Sequence, residues 1–287
     1  MARARNPHPP LIFLAPSIFG TAVFVVLPFV DVVRRSFLAD TGSTFAGLDN
    51  YRAVIESSAA QLAAINTLGF LGIGVPLLLV CSLAAALLLQ KTTPVRSLMK
   101  SALLIPLALP VFGIALAVSF LFAPEGLVND VLLSLNLAPH QWLEGPEALF
   151  VMLGLFLWKN LGFATILWLA ALGRIPASCQ EAARLDGASP WQRLRYLTLP
   201  LVAPAAAFLA VFSVGNGFKI YREAYLLAGS YPSDSLYLIP HLFAHWFTNL
   251  SFGKLAAATV LLTASLLVVF ALVVGATAVI RQGGDHR

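Results

Sequence analysis

The 287-residue chain is 59% hydrophobic and only 11% charged, and it carries a formal net charge of +5. A soluble globular domain carries about 25% charged residues, so this chain has too little polar surface to cover itself in water. The charges cluster in short segments between long apolar runs, the pattern of helices crossing a bilayer. That placement reads the positive charge as a means of orienting the chain in a membrane and excludes a nucleic-acid partner.

In chain order, the first apolar run covers residues 11–30 and contains Pro16 and Pro28. A signal peptide has a shorter apolar core and a small-residue cleavage site. Neither is evident, so the run reads as a retained first helix. Further runs follow at 62–89, 101–123, 148–172, 198–228 and 255–280. Each is long enough to span a bilayer, which takes about 20 residues. The expectation is an all-α membrane protein with six transmembrane helices. Residues 1–60 form the N-terminal tail, first helix and outer loop; residues 61–281 form the main transmembrane domain, interrupted by a polar loop at 173–200. With both termini placed inside, the inner segments hold eleven Lys and Arg, among them Arg3, Arg5, Lys100, Arg184, Arg281 and Arg287. The outer segments hold four, Arg34, Arg35, Arg52 and Lys254. Basic residues in excess mark the cytoplasmic side, so both termini are expected there, although Arg34 and Arg35 run against the trend. Cys81 and Cys179 suggest no disulfide framework or metal site. His241 and His245 are four apart but lack a third ligand, and with Trp246 they read as part of an interfacial aromatic belt.

The most informative segment is Arg174-Ile-Pro-Ala-Ser-Cys-Gln-Glu-Ala-Ala-Arg-Leu-Asp-Gly-Ala-Ser-Pro-Trp-Gln-Arg-Leu-Arg-Tyr-Leu-Thr-Leu-Pro200. Residues 180–185 are helix formers, and Asp186-Gly187 is a turn signal. Ser189 then supplies a cap and Pro190 a first helical position. The sequence predicts a short helix, a glycine turn and a second short helix, an element suited to docking into a groove on a partner. No G-x-x-x-x-G-K-[ST] loop occurs, so the chain cannot cradle ATP phosphates that way.

Glu181-Ala182-Ala183, Gly187 four residues on, and Leu199-Pro200 resemble the EAA loop of binding-protein-dependent ABC permeases. Leu197 stands where that family usually has Ile. The surrounding residues are most similar to the carbohydrate branch, the maltose and glycerol-phosphate type. The resemblance implies a type I ABC importer transmembrane domain in a bacterial or archaeal inner membrane, multi-pass, working by alternating access on a sugar or oligosaccharide. It implies that Glu181 makes a charged contact with the ATPase, that Ala182 and Ala183 allow close approach, and that Asp186 and Gly187 form the bend. It also implies a second permease, two ATPase subunits and an extracytoplasmic binding protein as partners. ATP and Mg would reside on the ATPase, and this chain would bind no cofactor and be no enzyme. Glycerol phosphates or another small polar solute are the alternative cargo. A self-sufficient secondary transporter is the alternative class, and an intramembrane enzyme ranks last, because no deep acid or histidine is apparent.

Four residues are candidates for the substrate pathway: Trp158, Lys159, Asn160 and Asn216. Lys159 lies about 16 Å from the start of its helix, and a charge at such depth faces a cavity or a partner. Either it lines the pathway or it bonds to a neighbouring helix. Ser213, Lys219, Tyr221, Arg222, Glu223 and Tyr225 extend the polar cluster of the fifth helix. Lys219 and Glu223 stand four apart on one face, near enough to the surface to snorkel to water.

Overall fold

The computed structural model describes residues 9–91 and 93–285, with side chains for 13–91 and 93–275. Arg3, Arg5 and Arg287 lie outside the described residues, as does the side chain of Arg281. Among the described residues the regular structure is all helical, with one isolated bridge between Leu38 and Phe45. Six helices are long and apolar enough to cross a membrane: Phe13–Ser36, Ser58–Leu89, Val111–Ser134, Ala148–Leu172, Pro190–Ala228 and Phe252–Gly275, hereafter spans 1 to 6. The third includes a turn after Phe122.

Three boundaries differ from the sequence expectation, each for a local reason. Span 1 continues past residue 30 because its charges neutralise one another along the helix. Asp31 accepts from Arg34 at 2.8 Å and from Arg35 at 2.6 Å. The third apolar run breaks into the helices Pro94–Ala102, Ile105–Ala108 and Val111–Phe122. Leu109 takes an extended conformation because the ring of Pro110 disfavours helix in the residue before it. Span 5 absorbs the second short helix of the polar loop, so that one helix runs on from Pro190 to Lys219 through a widened turn at Leu194–Thr198.

That widened turn has a twin in span 1, at Ala22–Val26. Each ends in a Leu-Pro pair, Leu27-Pro28 or Leu199-Pro200. In each the leucine N–H reaches back five residues, to Ala22 O or Leu194 O. A proline inside a helix lacks the N–H and presses on the carbonyl four residues earlier. A single π-type turn relieves that pressure without ending the helix.

Two compact units emerge. The larger, Gln61–Leu242 with the residues from Val268 onward, is built on spans 2, 4 and 5, with Phe70, Leu78, Met152, Phe156, Trp168 and Leu209 buried in its core. Phe70 meets Phe156 edge-on at 5.4 Å. Trp168 donates its indole N–H to Ser82 Oγ at 3.0 Å, a bond between buried groups of spans 4 and 2. Small residues set the closest approaches. A Cβ on Gly162 would overlap the Leu103 carbonyl, and one on Gly217 would overlap Leu71. Asn129, fully buried, ties down the segment after span 3. Its amide donates to the carbonyls of Ala123, Pro124 and His140, and its oxygen accepts from the His140 N–H and the Trp142 indole.

The smaller unit joins the described residues up to Ala60 with Phe243–Leu267. Asn50 donates to the Ser36 and Leu38 carbonyls. Asp40 accepts from the Gly253 N–H at 2.8 Å, placing a carboxylate at the first turn of span 6, where the helix dipole favours it. In span 1, no residue of the apolar stretch is buried.

Candidate functional site

Two places in the larger unit combine unusual residue types. The first is the polar loop between spans 4 and 5. Residues Ala177–Leu185 form a helix whose end is closed by Gly187 at φ +76°. Gly187 N–H bonds Arg184 O and Ala188 N–H bonds Ala183 O, the paired bonds of a glycine-terminated helix. Ser189 restarts the chain as a helix by a reciprocal cap. Its Oγ accepts from Gln192 N–H at 3.3 Å, and its own N–H donates to Gln192 Oε1 at 2.7 Å. The result is an elbow of two short helices, as the Gly and Ser-Pro signals predict. Glu181, Ala182, Asp186 and Gly187 are exposed on it and Ala183 is half-buried. A hollow of about 400 Å³ sits in its bend, lined by Ala183, Asp186, Gly187, Gln192 and Tyr196 among others. Leu185 is 89% exposed, Trp191 64% and Tyr196 71%. Three large apolar groups are thus set outward on a polar loop.

The second place is the seam between spans 4 and 5, which run antiparallel. Asn216 Nδ2 donates to Asn160 Oδ1 at 2.9 Å, and Asn160 Nδ2 donates to the Phe156 carbonyl at 2.8 Å. Lys219 Nζ donates to Asn216 Oδ1 at 3.1 Å. The donors therefore run in one direction from the ammonium through two amides to a backbone carbonyl, an arrangement in which each bond polarises the next. Beside this relay, Lys159 forms an ion pair with Glu223. Glu223 is fully buried, and its Oε2 has no hydrogen-bond partner.

This corrects the expectation that Glu223 snorkels to water: it is buried against span 4. The reason is the lean of side chains toward the N-terminus of their own helix. On antiparallel spans, Lys159 leans toward the Ala148 end while Glu223 leans inward, so they meet although their backbones differ in depth. Lys219 pairs with Asn216 and not with Glu223, because the helix is interrupted between Lys219 and Tyr221. Of the four pathway candidates, Lys159, Asn160 and Asn216 come together. Trp158 turns to the other side of span 4, onto an apolar hollow of about 710 Å³ that it shares with Gly113, Val118, Phe150 and Gly154.

Sequence reasoning misses an aromatic ladder on the same seam. Phe163 lies 4.8 Å from Phe212, and Phe212 stacks on Phe208 at 6.2 Å. The spacing of Asn160 to Phe163 and of Phe208, Phe212 and Asn216 puts all five on one face at three- and four-residue steps, a signal hidden inside apolar runs. His241 also departs from the interfacial expectation. It is buried, its Nδ1 accepts from Leu238 N–H at 3.2 Å, and its ring meets Tyr221 at 4.7 Å. Among the described residues no group of three His, Cys, Asp or Glu could hold a metal ion.

Six apolar spans, a charged and amide-lined seam within them and an exposed elbow define a multi-pass membrane protein of the permease class. Residues 78–281 match the family described as the inner membrane component of binding-protein-dependent transport systems, and the chain belongs to that family. It is 30% identical over 273 residues to the arabinooligosaccharides transport system permease protein AraP of Bacillus subtilis, covering 91% of this chain and 85% of that one. It is also 30% identical to the inner membrane ABC transporter permease protein YcjO of Escherichia coli, covering 92% and 91%. The trehalose/maltose transport system permease protein MalF of Thermococcus litoralis is 29% identical, covering 91% and 90%. A bacterial ABC transporter involved in the import of the acidic polysaccharide alginate shares the fold, with a TM-score of 0.79 at 22% identity over 93% of this chain and 94% of that one.

Proposed function

We propose that this chain is one of two permease subunits of an ATP-driven sugar importer, with the elbow between spans 4 and 5 as its docking point for a separate ATPase. The observation that carries the reading is the elbow itself: two short helices rigidly joined at Gly187, with Leu185, Trp191 and Tyr196 set outward. Glu181 supplies a charge for the partner, and Ala182 and Ala183 keep the helix slim enough to enter a cleft. Asp186 and Gly187 form the bend. The elbow continues directly into span 5, so a push on Ala177–Leu185 moves the helix that carries Asn216. Both termini and the elbow lie on the cytoplasmic side in this reading, in keeping with the excess of basic residues there.

Carbohydrate as the cargo rests on three relatives whose names specify sugars or sugar chains, and on the chemistry of the seam. Sugars bind through aromatic faces and polar contacts to their hydroxyls, and the ladder Phe163, Phe208, Phe212 beside Asn160 and Asn216 offers both. A binding protein outside the membrane delivers the cargo, and ATP with Mg is held by the ATPase.

The test uses the assembled transporter in lipid vesicles. Glu181→Lys and Gly187→Pro are expected to insert at normal levels yet lose ATPase stimulation and uptake together. Wild-type uptake by both variants overturns the docking role of the elbow.

A further inference from the structure

The seam between spans 4 and 5 carries more positive charge than it neutralises. Glu223 is the only carboxylate in either span, and it is spent on Lys159. That leaves Lys219 and Arg222, both exposed, with no acidic partner among the described residues. Lys219 is held by an amide oxygen, which steadies the ammonium without cancelling its charge. The two lie about 13 and 9 Å inside the Ala228 end of the span at 1.5 Å per residue. Charges toward the end of a span are held where they meet water, a partner group or a ligand. On the other side of span 4 the surface is apolar, from Leu109 to Trp158. The polar seam is therefore the face turned to the pathway.

Along that seam Phe208, Phe212 and Phe163 form the ladder, and Asn160 and Asn216 follow, with Lys219 held on Asn216. Arg222 and Tyr225, both exposed, come next along the chain, in the helix that follows. Rings to stack on, amides for hydroxyls and two uncompensated cations together select a saccharide that bears negative charge.

Resting on the carbohydrate reading above, we propose that Lys219 and Arg222 form an anion subsite in the pathway and that the cargo is an acidic oligosaccharide, one carrying carboxylate, sulfonate or phosphate groups. The internal pairing of Lys159 with Glu223 is part of the device. It removes the one carboxylate that would repel such a cargo and leaves the two outward cations unshared. A small anion without sugar rings would satisfy the cations but leave the aromatic ladder unused.

The experiment takes the complete transporter complex, purified in detergent at low salt. It titrates trigalacturonate, maltotriose and glycerol phosphate against the intrinsic tryptophan fluorescence. Trigalacturonate is expected to bind at least tenfold more tightly than maltotriose, and that ratio is expected to fall below threefold in Lys219→Gln/Arg222→Gln. Lys100→Gln removes a positive charge outside the spans and is expected to keep the ratio. Equal or tighter binding of maltotriose overturns the anion subsite while leaving the sugar reading in place. A preference that survives the double variant, or one that falls equally in Lys100→Gln, overturns the assignment to Lys219 and Arg222. Saturable binding of glycerol phosphate alone overturns the oligosaccharide cargo and the sugar reading with it, and binding of no probe overturns the subsite.

Discussion

Lys159 and Glu223 hold each other in a place neither could occupy alone. A buried charge stripped of its partner costs about 3–5 kcal/mol, whereas replacing both members by apolar groups is often neutral. Glu223→Gln and Lys159→Met are therefore each expected to lower the melting temperature of the purified complex by several degrees. Lys159→Met/Glu223→Leu is expected to recover most of the loss. Additive losses in the double variant would show that the two groups act independently and would remove the pair as a tie between spans. Lys159 is legible in the sequence as the odd residue of an apolar helix. Its partner is not, because Glu223 lies 64 positions away and residue counting gives backbone depth, not the lean of a side chain. Asn129 is illegible for a related reason. Its hydrogen bonds go mostly to backbone groups, which leave no imprint on residue type. Asn129→Leu is expected to expose the 123–142 segment to a protease that spares the parent protein in the same vesicles.

Individual elements follow from short-range rules where those rules act alone. The elbow is readable because Gly187 and Ser189-Pro190 each impose one backbone outcome. Gly187 needs the left-handed region, which costs another residue roughly 1–2 kcal/mol, and a Cβ there would meet nothing. Gly187→Asn is thus expected to retain most substrate-stimulated ATPase activity, since Asn tolerates that region, with Gly187→Val well below it. Equal activity would mean that the bend need not keep its angle. The widened turns before Pro28 and Pro200 are not readable, although the Leu-Pro pairs are visible, since a proline alone does not say whether a helix breaks, kinks or swells. Close approaches are equally hidden. Gly162 meets a backbone carbonyl of the Leu103 turn, while Gly72 meets nothing within 4 Å. Gly162→Val is expected to cut the melting temperature and membrane yield by an overpacking penalty of about 1–3 kcal/mol, and Gly72→Ala to leave both unchanged.

For the molecule as a whole, the number of spans is legible because hydropathy needs no tertiary information. The joining of the residues up to Ala60 with Phe243–Leu267 is not, since it reaches across most of the chain. Orientation is read from the distribution of basic residues and has a direct check. Cys179 is exposed at the start of the elbow. In a Cys81→Ser background, a membrane-impermeant maleimide is expected to label it in inverted vesicles and not in right-side-out ones. The opposite pattern would turn the whole chain over and put the elbow out of reach of any ATPase.

Span 1 bears on how such a chain is made. Its apolar stretch buries no side chain, and Phe13, Phe19 and Phe24 face outward. A ribosome can release this segment into lipid as soon as it emerges, with no wait for later helices to arrive. For the same reason, its insertion does not wait on the synthesis of any other chain.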